Sequence, residues 1–417
     1  MKSKTEYGQE ILLSILVPTK NRQVYAMHSI ASALQIDSNS IEVVVQDCSD
    51  DQGDGLGSSL NFKYPLEGRL NYFHDPSRPS MTDNWNNAIA NANGKFILCI
   101  GDDDAVLPML LDVVKWMDRN NVDAVRQPIT TFMWPGETNL NFQNSQLSFS
   151  KSFDGNFESM DIAKNYSSQI KRCGFGYTSG LPNVYHTIIR KAILDKHRSI
   201  AGHYLNGTSA DAYASFAYAR YVKSMFHVNY PFSIHGICPS SNSSNNLKGD
   251  RDKLKLHFKD FTKVYQDKCL PNIMSPEVSV TESMLCALNS TSQTAKKVEI
   301  DYSVLYGRCA AIEPRLLLPL FKQYRSIKNE CSTDIDFIIS YIRFSRERFV
   351  RGLINFFSRA LVKISDSLYF LLSRKLGSQI KLREKDIGAA SDRLSNFLLD
   401  NKIFLNTEDL FDSRDLH

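Results

Sequence analysis

None of the eight cysteines forms a Cys-x-x-Cys pair, and Cys99, Cys286 and Cys309 sit in apolar surroundings. That usage excludes a zinc ribbon or a disulfide scaffold and predicts reduced core thiols, as in a cytoplasmic protein. The 417 residues contain no run of eighteen apolar residues. The apolar stretch 11–18 follows a polar start and is too short for the core of a signal peptide, so neither a membrane span nor a leader is expected. Charge of one sign is also scarce: 49 basic residues stand against 45 acidic, a net +4. Nucleic acid is therefore not expected as a partner. Internal repeats and low-complexity tracts are absent as well.

The length exceeds what one small core needs and predicts two domains, or one large domain with an appendage. Residues 1–245 alternate apolar runs with helical periodicity. Ile11 to Pro18 reads as a buried strand, Val24 to Ile36 as a helix, and Ile41 to Val45 as a second strand. Leu70 to Phe73, a helix over 80–92 and the apolar run Phe96 to Ile100 follow. This β-α-β order predicts an α/β fold with a mostly parallel sheet flanked by helices. Further on, Val184 to Ile189 reads as a strand and 210–221 as a helix, while 130–168 has little periodicity. A Ser/Asn run at 240–246 marks the expected boundary, and 246–417 reads as a mainly helical C-terminal domain. Within it, 344–376 is amphipathic and basic, with Phe349, Leu353, Phe356 and Leu361 on one face among several arginines. Such a helix suits either a bundle core or the surface of an anionic membrane.

The chemistry concentrates where strands end. Phe96 to Ile100 delivers Asp102, Asp103 and Asp104 to one point, and Asp47, Asp50 and Asp51 follow the second strand. Three adjacent carboxylates repel one another unless a cation neutralises them, and hard oxygen ligands suit Mg²⁺ or Mn²⁺. The plainer alternative is a solvated acidic turn. The buried strand in front of it counts against that alternative, because ligands of open α/β sheets bind at the carboxyl ends of the strands.

Four segments in order, Ser14 to Arg22, Val43 to Asp51, Asn84-Trp85 and Gly94 to Asp104, resemble glycosyltransferase family 2, enzymes of the GT-A fold that use nucleotide-sugar donors. The resemblance covers about 11–245. It implies that Pro18, Thr19, Asn21 and Arg22 line the nucleotide pocket, and that Asp47 accepts a hydrogen bond from base or ribose. It further implies that Asp102 and Asp104 form the DxD motif that holds Mn²⁺ or Mg²⁺. Asp104 is then the more direct metal ligand, Asp102 lies nearer the ribose, and Asp103 is a neighbour on the donor side. Asn84 is a further donor-binding candidate. Gln46-Asp47-Cys48 departs from the two acidic residues and glycine common there, leaving the base open among UDP-, GDP- and dTDP-sugars. Asp211 occupies the position of the general base of an inverting transfer, although Ala210 replaces the usual neighbour and the carboxylate could simply serve a helix N-terminus. His235 is a candidate late metal ligand. Tyr185 and His186 suit either acceptor contact or core packing.

The resemblance thus implies metal-dependent transfer to a saccharide or polyprenyl-linked acceptor in bacterial surface polysaccharide biosynthesis, by a cytoplasmic enzyme that is peripheral on the inner face of the membrane if 344–376 binds lipid. A nucleotidyltransferase is the first alternative, but it needs a glycine-rich phosphate loop where Pro18-Thr19-Lys20-Asn21-Arg22 stands. The second alternative is a non-catalytic scaffold that binds a partner.

Overall fold

The computed structural model describes residues 10–50, 55–63, 68–136, 145–240, 268–273, 275–290, 300–327, 333–364 and 379–407. The boundary expected near 245 and the amphipathic face beyond 353 lie outside the residues whose side chains are described.

The first half alternates as expected. In chain order come β1 (Leu13–Thr19), α1 (Gln23–Leu34), β2 (Ile41–Asp47), α2 (Leu56–Lys63), β3 (Leu70–His74), α3 (Met81–Ala90) and β4 (Phe96–Cys99). Then follow β5 (Ala105–Val106), α4 (Leu110–Arg119), β6 (Ala124–Arg126), β7 (Thr131–Met133), β8 (Gln146–Ser150), β9 (Phe157–Ser159) and α5 (Ile162–Lys171). Among its described residues, the weakly periodic stretch 130–168 thus holds three short strands and the start of a helix. Their brevity, three to five residues, is why no period stands out. After a 3₁₀ turn at Tyr177–Ser179 come β10 (Thr187–Arg190), α6 (Lys191–Ala201), α7 (Ala210–Tyr218), β11 (Met225–Val228) and β12 (Ser233–Ile237).

Eight strands form one sheet in the order β3-β2-β1-β4-β10-β6-β11-β9. Its pairs are parallel except where β10 meets β4 and β6 and where β9 meets β11. The mostly parallel sheet with flanking helices, the GT-A arrangement the resemblance implied, is what forms. Both faces are covered, which explains the near-continuous apolar character of β1, β2 and β4. Leu13, Ile15 and Val17 point into one cluster with Ala26 and Ile30 of α1, whereas Leu16 points into the other with Ala88 and Ile89 of α3. Full burial of each such aliphatic side chain contributes about 1.5–3 kcal/mol.

Chain beyond residue 268 is mainly helical, with α8 (Pro276–Asn289), α9 (Tyr302–Ile312), α10 (Leu317–Ile327) and α11 (Asp334–Ile364). These helices share the second core: Val278, Met284, Leu305 and Tyr306 pack in one cluster with Tyr213 and Phe216 of α7. The chain then returns to the sheets. β13 (Gln379–Leu382) pairs antiparallel with β8, completing the second sheet, β13-β8-β7-β12-β5. Finally α12 (Ile387–Asp400) buries Ile387, Leu394 and Leu398 in the first core. No helix among the described residues is long and apolar enough to cross a membrane.

Candidate active site

β1 pairs with β4 only as far as Leu16, so Pro18 lies past the last shared register, where a missing N–H costs the sheet little. The loop that follows turns through Asn21, whose φ of 55° is in the left-handed region that Asn tolerates. Asn21 ties this loop to the one after β2: its amide N–H donates to Ser49 Oγ at 2.7 Å and its side chain to Asp50 Oδ2 at 2.9 Å. Asp47, buried at the end of β2, accepts from the Ser49 hydroxyl at 2.5 Å and from Tyr72 Oη at 2.8 Å. Asn84, buried near the start of α3, donates to the carbonyls of Gln46 and Thr19, while its Oδ1 has no hydrogen-bond partner among the described residues. Thus Pro18, Thr19, Asn21, Asp47 and Asn84 do meet at one carboxyl edge.

The three aspartates after β4 separate into different roles. Asp102 is fully buried and faces β1: Thr19 Oγ1 donates to it at 2.7 Å, Arg22 Nε at 3.0 Å, and Arg22 Nη2 lies 2.6 Å from its other oxygen. Burial drives its pKa up to about 7 against the pull of Arg22. For the Arg22 guanidinium, burial opposes the charge, but Asp102 and Asp103 outweigh it and hold the group above its ordinary value. Asp103 accepts from the Cys238 amide at 2.9 Å while its carbonyl accepts from Trp134 Nε1.

Asp104 turns the other way. It accepts from the amides of Gly101 at 2.5 Å and Gly236 at 2.6 Å and from Tyr185 Oη at 2.8 Å. His186 Nε2 lies 3.0 Å from one oxygen and His235 Nδ1 3.7 Å from the other. Burial pushes this carboxyl up, yet His186, His235 and the Gly101 amide prevail and hold it well below the ordinary carboxylate range. One ligand atom from each of Asp104, His186 and His235 lies within 4.8 Å of the others, a spread that a single ion can bridge. Behind them Ser233 Oγ sits 2.7 Å from His186 Nδ1, which fixes the ring with Nε2 toward Asp104. Two imidazoles and an ionised carboxylate are a donor set that fits a divalent transition ion.

Among the described residues, Asp102 is not part of this cluster, because Arg22 and Thr19 occupy its oxygens. His186 is the residue sequence reasoning did not assign to metal. The strand read over 184–189 begins only at Thr187, and His186, at φ 50°, kinks out of it toward Asp104. A backbone φ leaves no trace in residue order, so no local signal marks this histidine. Glycine explains how the parts approach: a Cβ on Gly236 would lie 1.6 Å from the Asp103 carbonyl oxygen, and one on Gly101 2.9 Å from Asp104 Oδ2.

Asp211 stands in the first turn of α7 and accepts from Tyr177 Oη at 2.6 Å and Ser209 Oγ at 2.6 Å. Burial, reinforced by Asp211, keeps the Tyr177 proton on its oxygen. The loop before it is clamped from behind by α8: buried Glu282 accepts from the Thr208 amide and hydroxyl, both at 3.0 Å, and Ser283 Oγ accepts from the Ser209 amide at 2.8 Å. On the same face of the sheet, Thr82 of α3 donates to the Gly207 carbonyl, joining this loop to the helix that carries Asn84.

Residues 14–177 match the model of glycosyl transferase family 2, which bears out the resemblance read from the sequence. A Campylobacter jejuni protein named GalNAc(5)-diNAcBac-PP-undecaprenol beta-1,3-glucosyltransferase is 32% identical over 96 residues, 23% of this chain and 30% of that protein. An Escherichia coli K12 protein, WcaA, named for glycosyl transfer in colanic acid biosynthesis, is 35% identical over 105 residues, 24% of this chain and 36% of that one. The chain thus spans about a third of the length of these curated relatives. Among solved structures, S. aureus TarS 1-349 in complex with UDP-GlcNAc aligns with 82% of this chain and 92% of its own, at 15% identity and a TM-score of 0.44.

Proposed function

We propose that this chain, with its family 2 glycosyltransferase segment at 14–177, transfers a sugar from a nucleotide sugar to a saccharide acceptor with inversion at the anomeric carbon. The observation that carries this reading is the convergence of Asp104, His186 and His235 beside the Arg22–Asp102 pair at one carboxyl edge. Those three residues would hold the divalent ion. Their imidazoles favour Mn²⁺ over Mg²⁺, which prefers an oxygen shell. When bound, the ion supplies Lewis-acid stabilisation of the departing diphosphate.

The protein's own groups do the rest. The Asn21, Asp47 and Asn84 cluster binds and orients the nucleoside, with the unpartnered Asn84 Oδ1 available to a donor group. Asp211 takes the proton from the acceptor hydroxyl as its oxygen attacks the anomeric carbon and the bond to the diphosphate breaks. Tyr177 and Ser209 donate to this carboxylate and fix its direction. The names of the two curated relatives, one for an undecaprenol diphosphate acceptor and one for colanic acid, favour a lipid-linked or polysaccharide acceptor in a bacterial surface pathway. Contact with the membrane through α11 fits that setting, since Phe349 and Leu353 are exposed on it.

The test is nucleotide release from a panel of UDP-, GDP- and dTDP-sugars with Mn²⁺, with and without saccharide acceptors and a chelator. Turnover of one donor that the chelator abolishes supports the reading. A folded protein that neither binds nor turns over any donor defeats it.

A further inference from the structure

A row of four residues crosses the main sheet near its carboxyl edge. Thr187 pairs with Arg126, Arg126 with His227, and His227 with Glu158. Because β10 runs antiparallel to both β4 and β6, β6 points the same way as β4, and Arg126 ends its strand at the edge where the aspartates lie. Its pair, Thr187, directly follows His186. Ala124 and Met225, two residues before Arg126 and His227, belong to the core under α7, whereas Val125 belongs to the opposite one. Strand alternation therefore puts Arg126 and His227 on the face that carries the helix of Asp211.

Both side chains are half-buried, and among the described residues neither makes a hydrogen bond or ion pair. Glu158 and Asp154 are near enough to favour a proton on His227, but neither reaches ion-pair distance. Burial lowers the proton affinity of both groups, and Arg126 lowers that of His227 further. A half-buried guanidinium without a counter-charge is costly. A bound oxyanion offsets that cost through charge-assisted hydrogen bonds. Two strand spacings, about 10 Å, separate Arg126 from β4.

We propose that Arg126 and His227 receive an oxyanion carried by the acceptor, the diphosphate of a lipid carrier or the carboxylate of an acidic sugar. This proposal rests on the glycosyl-transfer reading for the word acceptor, but its binding step can be measured without transfer.

The full chain, with Mn²⁺ and a saturating nucleoside diphosphate, is titrated calorimetrically with farnesyl diphosphate against farnesol, and with methyl glucuronide against methyl glucoside. One charged probe is expected to bind at least tenfold tighter than its neutral twin, and which one identifies the source of the oxyanion. R126Q removes the preference, R126K keeps part of it, and H227Q, which leaves the guanidinium in place, weakens it. Absence of any preference in the wild type, a preference that survives R126Q in a folded protein, or displacement of the probe by the nucleotide each overturns the proposal. If R126Q does not fold, unchanged binding in H227Q and R126K overturns it equally. Arg126-dependent binding in a protein that transfers no sugar would sink the functional reading alone.

Discussion

The amide of Gly236 donates to Asp104 Oδ1 at 2.6 Å, and its missing side chain is what lets β12 close against the acidic loop. Since a Cβ there would lie 1.6 Å from the Asp103 carbonyl oxygen, Gly236→Ala must push β12 and its neighbour His235 away from Asp104. We expect a stability loss of about 1–3 kcal/mol, typical of overpacking. Mn²⁺ affinity should fall at least tenfold. Denaturant melts and a metal titration check the two effects separately, and unchanged metal affinity would refute the geometry.

His186 is expected to matter as much as His235. His186→Ala removes a candidate ligand 3.0 Å from Asp104, and His235→Ala removes one 3.7 Å from it. Each should lower Mn²⁺ affinity by tenfold or more while leaving metal-free nucleotide binding within a factor of two. Ser233→Ala, which strips the partner of His186 Nδ1, should cost about 10-fold, as loss of an orienting hydrogen bond does. If His186→Ala binds Mn²⁺ like the wild type, the ligand set is wrong.

Asp211→Asn keeps the shape of the first turn of α7 but removes the base. The turnover number should fall by roughly 10²–10⁴, with nucleotide affinity preserved. Retention of turnover within tenfold, measured with a competent donor and acceptor, would return Asp211 to a purely structural role at the helix N-terminus.

Glu282 lies outside the segment that matches the family, yet it holds the loop that presents Asp211. Its carboxylate accepts from Thr208, Ser283 and Cys286. Glu282→Ala leaves the buried Thr208 amide without that acceptor, so a loss of about 2–3 kcal/mol is expected. Glu282→Gln should recover most of the stability because its carbonyl oxygen can still accept. A parallel recovery of turnover, read at a temperature where both variants are folded, would tie α8 to the site, and stability without recovered turnover would not.

His197 sets a pH dependence of stability away from the metal cluster. It is fully buried, Tyr213 Oη lies 2.9 Å from its Nε2, and burial, helped by His203 and Arg220, lowers its pKa to about 4. A histidine near 6.5 when unfolded and lower when folded binds its proton preferentially in the unfolded chain. Its contribution is therefore present above pH 6.5 and lost as pH falls through 6.5 toward 4. The loss amounts to at most about 3 kcal/mol, at 1.36 kcal/mol for each pKa unit. Melting curves of the wild type and His197→Gln between pH 4 and pH 7 should converge toward low pH, and parallel curves would exclude the effect.

What the sequence determined is the part encoded by short-range pattern. The apolar runs at 11–18, 41–45 and 96–100, the polar clusters behind them and the order of strands and helices are properties of neighbours in the chain. From them the α/β fold, the carboxyl edge and Asp47, Asp102 and Asp104 could all be read. Tertiary structure alone decided which oxygen faces which partner. Asp102 and Asp104 are two residues apart, yet Arg22 claims one and His186 with His235 the other. That division follows from strand pairing, which brings residues 80 to 131 positions apart to one point, and from a positive φ at His186. Likewise Arg126 and His227 become neighbours only through the register of β6 and β11. Periodicity tells which face a residue takes, whereas a site is made where separate strands end together, and that is set by the packing of the whole sheet.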